Sequence, residues 1–76
     1  MKNKIDVVNE KKRAEIFLKR KTTIHLIKEN DIFHNGLLLE VGADFLILKD
    51  RLDGREVLVM FRELKKPIEI YKEVEK

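Results

Sequence analysis

Two histidines, His25 and His34, fall on neighbouring expected strands with Asp31 in the turn between them. At that spacing a metal site or an acid–base pair is conceivable, but histidines on the exposed faces of a hairpin are the commoner arrangement. The chain has neither cysteine nor serine, and its only hydroxyls are Thr22, Thr23 and Tyr71. Nucleophilic catalysis needs an activated Cys, Ser or equivalent beside a base, so no catalytic or metal site is assigned. The three glycines, Gly36, Gly42 and Gly54, are scattered. A phosphate-cradling loop needs them clustered. The expectation is therefore a protein that is not an enzyme, with no cofactor and no small-molecule substrate.

The chemistry that remains is electrostatic. Residues 1–28 carry nine basic and three acidic side chains, a net +6, against −3 for the rest of a chain whose total is +3. A basic front on a mildly acidic body favours a polyanion or an acidic partner near the front. Lys11, Lys12, Lys19 and Arg20 are the candidate phosphate contacts there. A solvated, salt-bridged helix face accounts for the same charges, and both readings stand at this point. The absence of cysteine excludes disulfides and thiolate metal sites. No stretch approaches a membrane span, and Met1 to Asp6 lacks the apolar core of a signal peptide, so the expected location is the cytoplasm. Abundant Lys, Glu and Ile with few labile residues suits a hyperthermophile; an AT-rich genome would bias composition the same way.

These side chains need elements to position them. At 76 residues there is room for one domain with a thin core, so residues 1–76 are taken as a single unit. Residues 9–20 are expected to form a helix, with Asn9 as N-cap and Glu10 in the first turn. Ala14, Phe17 and Leu18 give one apolar stripe, and Val7 and Val8 precede the cap as a staple. After Lys21 the period changes. Strands are expected over 22–28, 32–41, 45–49, 56–61 and 67–71. Turns fall at Glu29-Asn30-Asp31, at Gly42-Ala43-Asp44 and at Asp53-Gly54, the last a strong hairpin signal. Pro67 opens the fifth strand, where it costs no ladder hydrogen bond. Residues 72–76 read as a charged tail.

One short helix followed by five short strands with tight turns suggests a mostly β, closed or nearly closed barrel. The fourth strand is apolar on both faces, through Val57-Leu58-Val59-Met60-Phe61. A barrel interior buries only one of those faces, so the other must lie under the helix or against another chain. Pairing of strands four and five across a subunit boundary is expected, with Val57, Val59, Phe61, Ile68 and Ile70 as candidate interface residues.

Residues 10–71 resemble the Sm-like family of small barrels, which includes the Sm and Hfq proteins. The likeness is strongest from Asn35 to Asp50, where Gly36 is followed by Leu38 and Val41, a polar turn, and the apolar strand Phe45-Leu46-Ile47-Leu48. This is similar to the first Sm motif. Val59 to Ile70 is similar to the family's fourth strand, short loop and fifth strand. The sequence departs from the pattern in a shorter turn after Val41. It also has Arg62, Lys65 and Lys66 where the family's second motif places an Arg-Gly or Lys-His pair. The resemblance implies a strongly bent, SH3-like barrel and a homo-oligomeric ring of six or seven subunits. It also implies single-stranded RNA at the pore, touched by the loops after strands two and four. The matching positions are Gly42, Ala43, Asp44 and Phe45, then Arg62, Glu63 and Lys65.

RNA needs a basic track and planar groups for its bases. Arg62, Lys65 and Lys66 are candidates for the first, and Phe45 and Phe61 for the second, although aromatics beside strands in so small a domain are more often core. Asp44 fits a base edge or its own turn, and Arg62 beside Glu63 fits an ion pair. The expected function is a non-catalytic, ring-forming binder of single-stranded RNA. The alternative is a protein-interaction or assembly adaptor with no nucleic-acid binding. A third possibility is DNA binding through Lys11, Lys12 and Arg13.

Overall fold

The computed structural model describes residues 5–72, so the ends of the sequence, including most of the expected charged tail, lie outside the described residues. Helix α1 runs from Val7 to Arg20 and starts earlier than expected. Its N-cap is Asp6, whose carboxylate accepts the Asn9 N–H at 3.1 Å. Asp and Asn cap about equally well, and starting at Asp6 brings Val7 onto the core. Val7 and Val8 are thus helical rather than a staple, and Val8 is exposed. Lys21 ends the helix in the left-handed region at φ 55, and its N–H and that of Thr22 close the last turn on Leu18 and Phe17 carbonyls. Ala14 is fully buried, with Phe17 and Leu18 packed beside it, as the stripe requires. No helix among the described residues is long and apolar enough to cross a membrane.

Five strands follow: β1 (Thr23–Ile27), β2 (Phe33–Val41), β3 (Phe45–Asp50), β4 (Glu56–Met60) and β5 (Glu69–Ile70). They form one antiparallel open sheet in the order β4-β3-β2-β1-β5, so β4 and β5 are its two edges. Two expected boundaries are corrected. Phe61 leaves the strand and starts a single 3-10 turn, Phe61–Glu63. The fifth strand shrinks to two residues because the Ile68 backbone bonds to α1, not to a strand.

Alternation places Ile24, Leu26, Leu38, Leu46, Leu48 and Val59 on one face, where they meet Ala14, Phe61, Leu64 and Ile68 in a single core. The sheet curls over that core. The Phe61 N–H donates to the Asp44 carbonyl, just past the C-terminal end of β2. Three residues later Leu64 bridges to Lys28, whose N–H donates to Ile32 beside the N-terminal end of β2. Three residues reach at most about 11 Å, whereas a straight nine-residue strand holds its ends ~30 Å apart. Strand β2 must therefore bend, and the register shift between Leu38 and Glu40 marks a bulge of the kind that bends strands. Gly36, opposite Asp50, lets the β3 backbone lie against β2, since a Cβ there would overlap the Lys49 carbonyl.

Candidate nucleic-acid interface

The curl brings together three segments far apart in sequence. The turn between β1 and β2 meets the connection between β4 and β5 through the Glu29 N–H, which donates to the Glu63 carbonyl at 2.8 Å. The turn between β2 and β3 meets the same connection at Asp44 and Phe61, 3.0 Å apart. A shallow cleft lies between the first pair, lined by Lys28, Glu29, Asn30, Arg62 and Glu63.

The expected RNA contacts are distributed unevenly around this end. Arg62 is exposed and makes no ion pair among the described residues, which leaves its guanidinium available. Glu63 is not its partner: that carboxylate reaches back to the Met60 N–H at 3.3 Å. Lys65 is held by Asp31 at 2.6 Å and Lys66 lies 3.7 Å from Glu69, so both cations have anionic neighbours. These pairs are half exposed and worth at most about 1 kcal/mol each, so a phosphate can compete for them. Asp44 has an exposed side chain, while its carbonyl serves the fold. Phe45 is half-buried with its ring over Gly42, and Phe61 is fully buried in the core, which removes it from stacking on a base.

On α1, Lys12, Lys19 and Arg20 are exposed and Lys11 is half-buried, a separate basic surface. Arg13 is not part of it. Its guanidinium pairs with Glu10 at 3.0 Å, donates to the Ile68 carbonyl at 2.7 Å and covers the Phe17 ring. Sequence alone concealed this use, because Glu10 in a first turn is satisfied by the helix dipole. In the fold it is buried and accepts the Ile68 N–H at 3.0 Å.

The sheet edges follow from the parity of the ladders. The Phe61 N–H bonds to Asp44 and the Asp50 N–H to Arg55, so Val57 and Val59 face β3. The N–H and C=O groups of Glu56, Leu58 and Met60 then point away from the sheet. On the other edge the Tyr71 N–H bonds to Thr23, which turns the Ile68 and Ile70 backbones outward. Glu63 blocks Met60, and Glu10 with Arg13 blocks Ile68. Leu58 and Ile70 stay bare, at 55% and 54% exposure. Of the expected interface side chains, Val59, Phe61 and Ile68 are spent on the chain's own core, Val57 is half-buried, and Ile70 alone is exposed. Helix α1 packs on β2 and the 3-10 turn and does not cover Leu58.

The histidines do not cooperate. His25 pairs in register with Asn35 and His34 with Leu26, which puts the two rings on opposite faces of the sheet. His34 lies 3.4 Å from Asp50 instead. The Leu52 N–H, donating to the Asp50 carboxylate at 2.8 Å, is the main influence holding that carboxyl below its ordinary range, with His34 adding to it. No protein-family model, curated protein or solved structure matches the chain.

Proposed function

We propose that this chain is a non-catalytic Sm-like protein whose bent sheet acts as a small barrel, assembles into a homo-oligomeric ring in the cytoplasm and binds single-stranded RNA. The observation that carries the reading is the pair of bare edges. Strands β4 and β5 lie at opposite sides of one curled sheet, each with outward backbone groups and an exposed apolar residue, Leu58 or Ile70. Pairing β4 of one copy with β5 of the next is a head-to-tail contact, and such contacts close into rings when the rotation permits. It would satisfy the open backbone of both edges. For RNA, the support is Arg62 beside Lys28 and Asn30 at the end where the Gly42-Ala43-Asp44 turn also lies, a set that a ring would repeat in every copy.

The first measurement is the mass of the native particle at low and high salt. A stable particle of six or seven chains, reduced to monomers by Leu58→Lys, is expected; a wild-type monomer would refute the ring. Binding of a fluorescent single-stranded RNA should then weaken with salt, by a slope of roughly 0.7 per phosphate contact in a log–log plot. It should fall about tenfold in Arg62→Ala, as befits a lost charge-assisted hydrogen bond. The ion pairs at Lys65 and Lys66 favour the adaptor reading, in which oligonucleotide affinity is absent at every salt concentration.

A further inference from the structure

The loop end is not the only place where planar and cationic groups meet. On the outer face of the sheet, register sets His25 beside Asn35 on one side and Glu69 on the other, and the Arg51 N–H donates to the Asn35 carbonyl at 2.8 Å. Thr23 and Tyr71 occupy the adjoining row, and Ile27 and Phe33 the row beyond His25. Tyr71, His25 and Phe33 therefore lie on one face in three successive rows.

Each ring is held in place and leaves surface uncovered. The His25 Nδ1–H donates to the Asn35 side-chain oxygen, and the ring sits 5.8 Å from the Phe33 ring, tilted by 44°. Phe33 is 56% exposed, so most of one ring face is open to solvent beside His25. The Arg51 guanidinium stacks 4.8 Å over the Tyr71 ring and bonds its hydroxyl at 3.3 Å, so ring and cation are fixed together. A cleft runs between His25, Asn35, Tyr71 and Lys72.

From this arrangement we infer that the outer face of β1, β2 and β5 is a stacking surface for the bases of a single-stranded nucleic acid, separate from the loop end. The spacing supports that ligand. Rows on one face of a sheet repeat every two residues, about 6.8 Å, or roughly twice the 3.4 Å rise between stacked bases along one strand. The rings sit on β1, on β2 and directly after β5, three neighbouring strands. The His25 and Phe33 centroids, 5.8 Å apart, are wider than one stacking step, which suits bases that have been unstacked and splayed, the form in which single strands are read. Asn35 offers an amide to a base edge, and Arg51 and Lys72 are cations for the flanking phosphates. A protein partner would call for a continuous apolar patch, and here the row next to Phe33 and Ile27 is polar across all three strands, through Asn35, His25 and Glu69. The inference needs neither the ring nor Arg62.

The test uses the full chain and three probes: adenosine 5′-monophosphate, uridine 5′-monophosphate and ribose 5-phosphate. Proton NMR should show the ring signals of His25, Phe33 and Tyr71 shifting with both nucleotides and holding still with ribose 5-phosphate. Affinity for a ten-nucleotide single-stranded RNA should fall about ten- to a hundredfold in Phe33→Ala, the range for one lost stacking partner. Phe33→Leu, which keeps apolar bulk without the ring and guards against a folding artefact, should fall nearly as far. Equal shifts with ribose 5-phosphate would mean a phosphate site only and overturn the inference. So would unmoved ring signals, or wild-type affinity in both Phe33 variants. Arg62→Ala leaves these ring shifts intact, so failure at the loop end and failure here are told apart.

Discussion

The most exacting prediction concerns Glu10. Its carboxylate is 3% exposed and accepts the Ile68 N–H at 3.0 Å, while Arg13 pairs with the same carboxylate and donates to the Ile68 carbonyl at 2.7 Å. Together they do for Ile68 what a neighbouring strand would do, and they fasten β5 to α1. Glu10→Ala removes a charge-assisted hydrogen bond worth about 1.5–3 kcal/mol and leaves the Ile68 N–H unpaired. The ion pair adds less, because Arg13 is 35% exposed and water takes over its guanidinium, so about 1 kcal/mol is a fair ceiling. The expected loss is about 2–4 kcal/mol, a large share of the ~4–11 kcal/mol typical of a domain this size. At about 4–8 °C per kcal/mol, the melting temperature should fall by about 8–32 °C. Glu10→Gln keeps an oxygen for the Ile68 N–H and should cost only about 1–2 kcal/mol. Urea and thermal denaturation followed by circular dichroism at fixed protein concentration measure both variants against the wild type. Glu15, exposed on the same helix, supplies the control, since Glu15→Ala should stay within about 0.5 kcal/mol of wild type. If Glu10→Ala is as mild as Glu15→Ala, the clamp contributes nothing and the account of β5 is wrong.

Two glycines should fail for different reasons. Gly36→Ala forces a Cβ into the Lys49 carbonyl and should cost about 3 kcal/mol by denaturation, with no side chain able to rescue it. Gly54→Ala meets only the flexible Lys49 side chain, at 3.9 Å, but a φ of +74, so it should cost about 1–2 kcal/mol and be partly rescued by Gly54→Asn; equal losses at the two sites would contradict this. Acid should act partly through Asp50. Because the folded state holds its carboxyl below the ordinary value, chiefly through the Leu52 N–H, Asp50 stabilises the fold above about pH 4 and that contribution is lost as pH falls further. Denaturation midpoints taken from pH 6 to pH 2 should drop less steeply in Asp50→Asn, and parallel curves would rule Asp50 out.

The mostly β class, the helix with its Ala14-Phe17-Leu18 stripe and the succession of five strands were legible in the sequence, because they rest on local periodicity and on turn residues, whereas the extent of the fifth strand was not, since α1 holds Ile68. The Asp53-Gly54 turn is local in the same way: Asp50 and Asp53 accept backbone N–H groups two residues on, and Gly54 takes the positive φ. What tertiary structure alone decided is where each polar or apolar group spends itself. Glu10 reads as a helix-start carboxylate and Arg13 as one more cation, yet their partner is Ile68, more than fifty residues away. Leu58 and Val59 are alike as residues, and only the parity of the β3–β4 ladder sends one outward and the other into the core. Phe61 and Phe33 divide the same way, one buried and one exposed, because Phe61 lies on the short segment that runs from beside Asp44 to beside Lys28 and joins the core, whereas register leaves Phe33 on the outer face of β2. Sequence encodes which faces alternate; the bend of β2 determines which of those faces closes on itself and which stays open to a ligand or another copy.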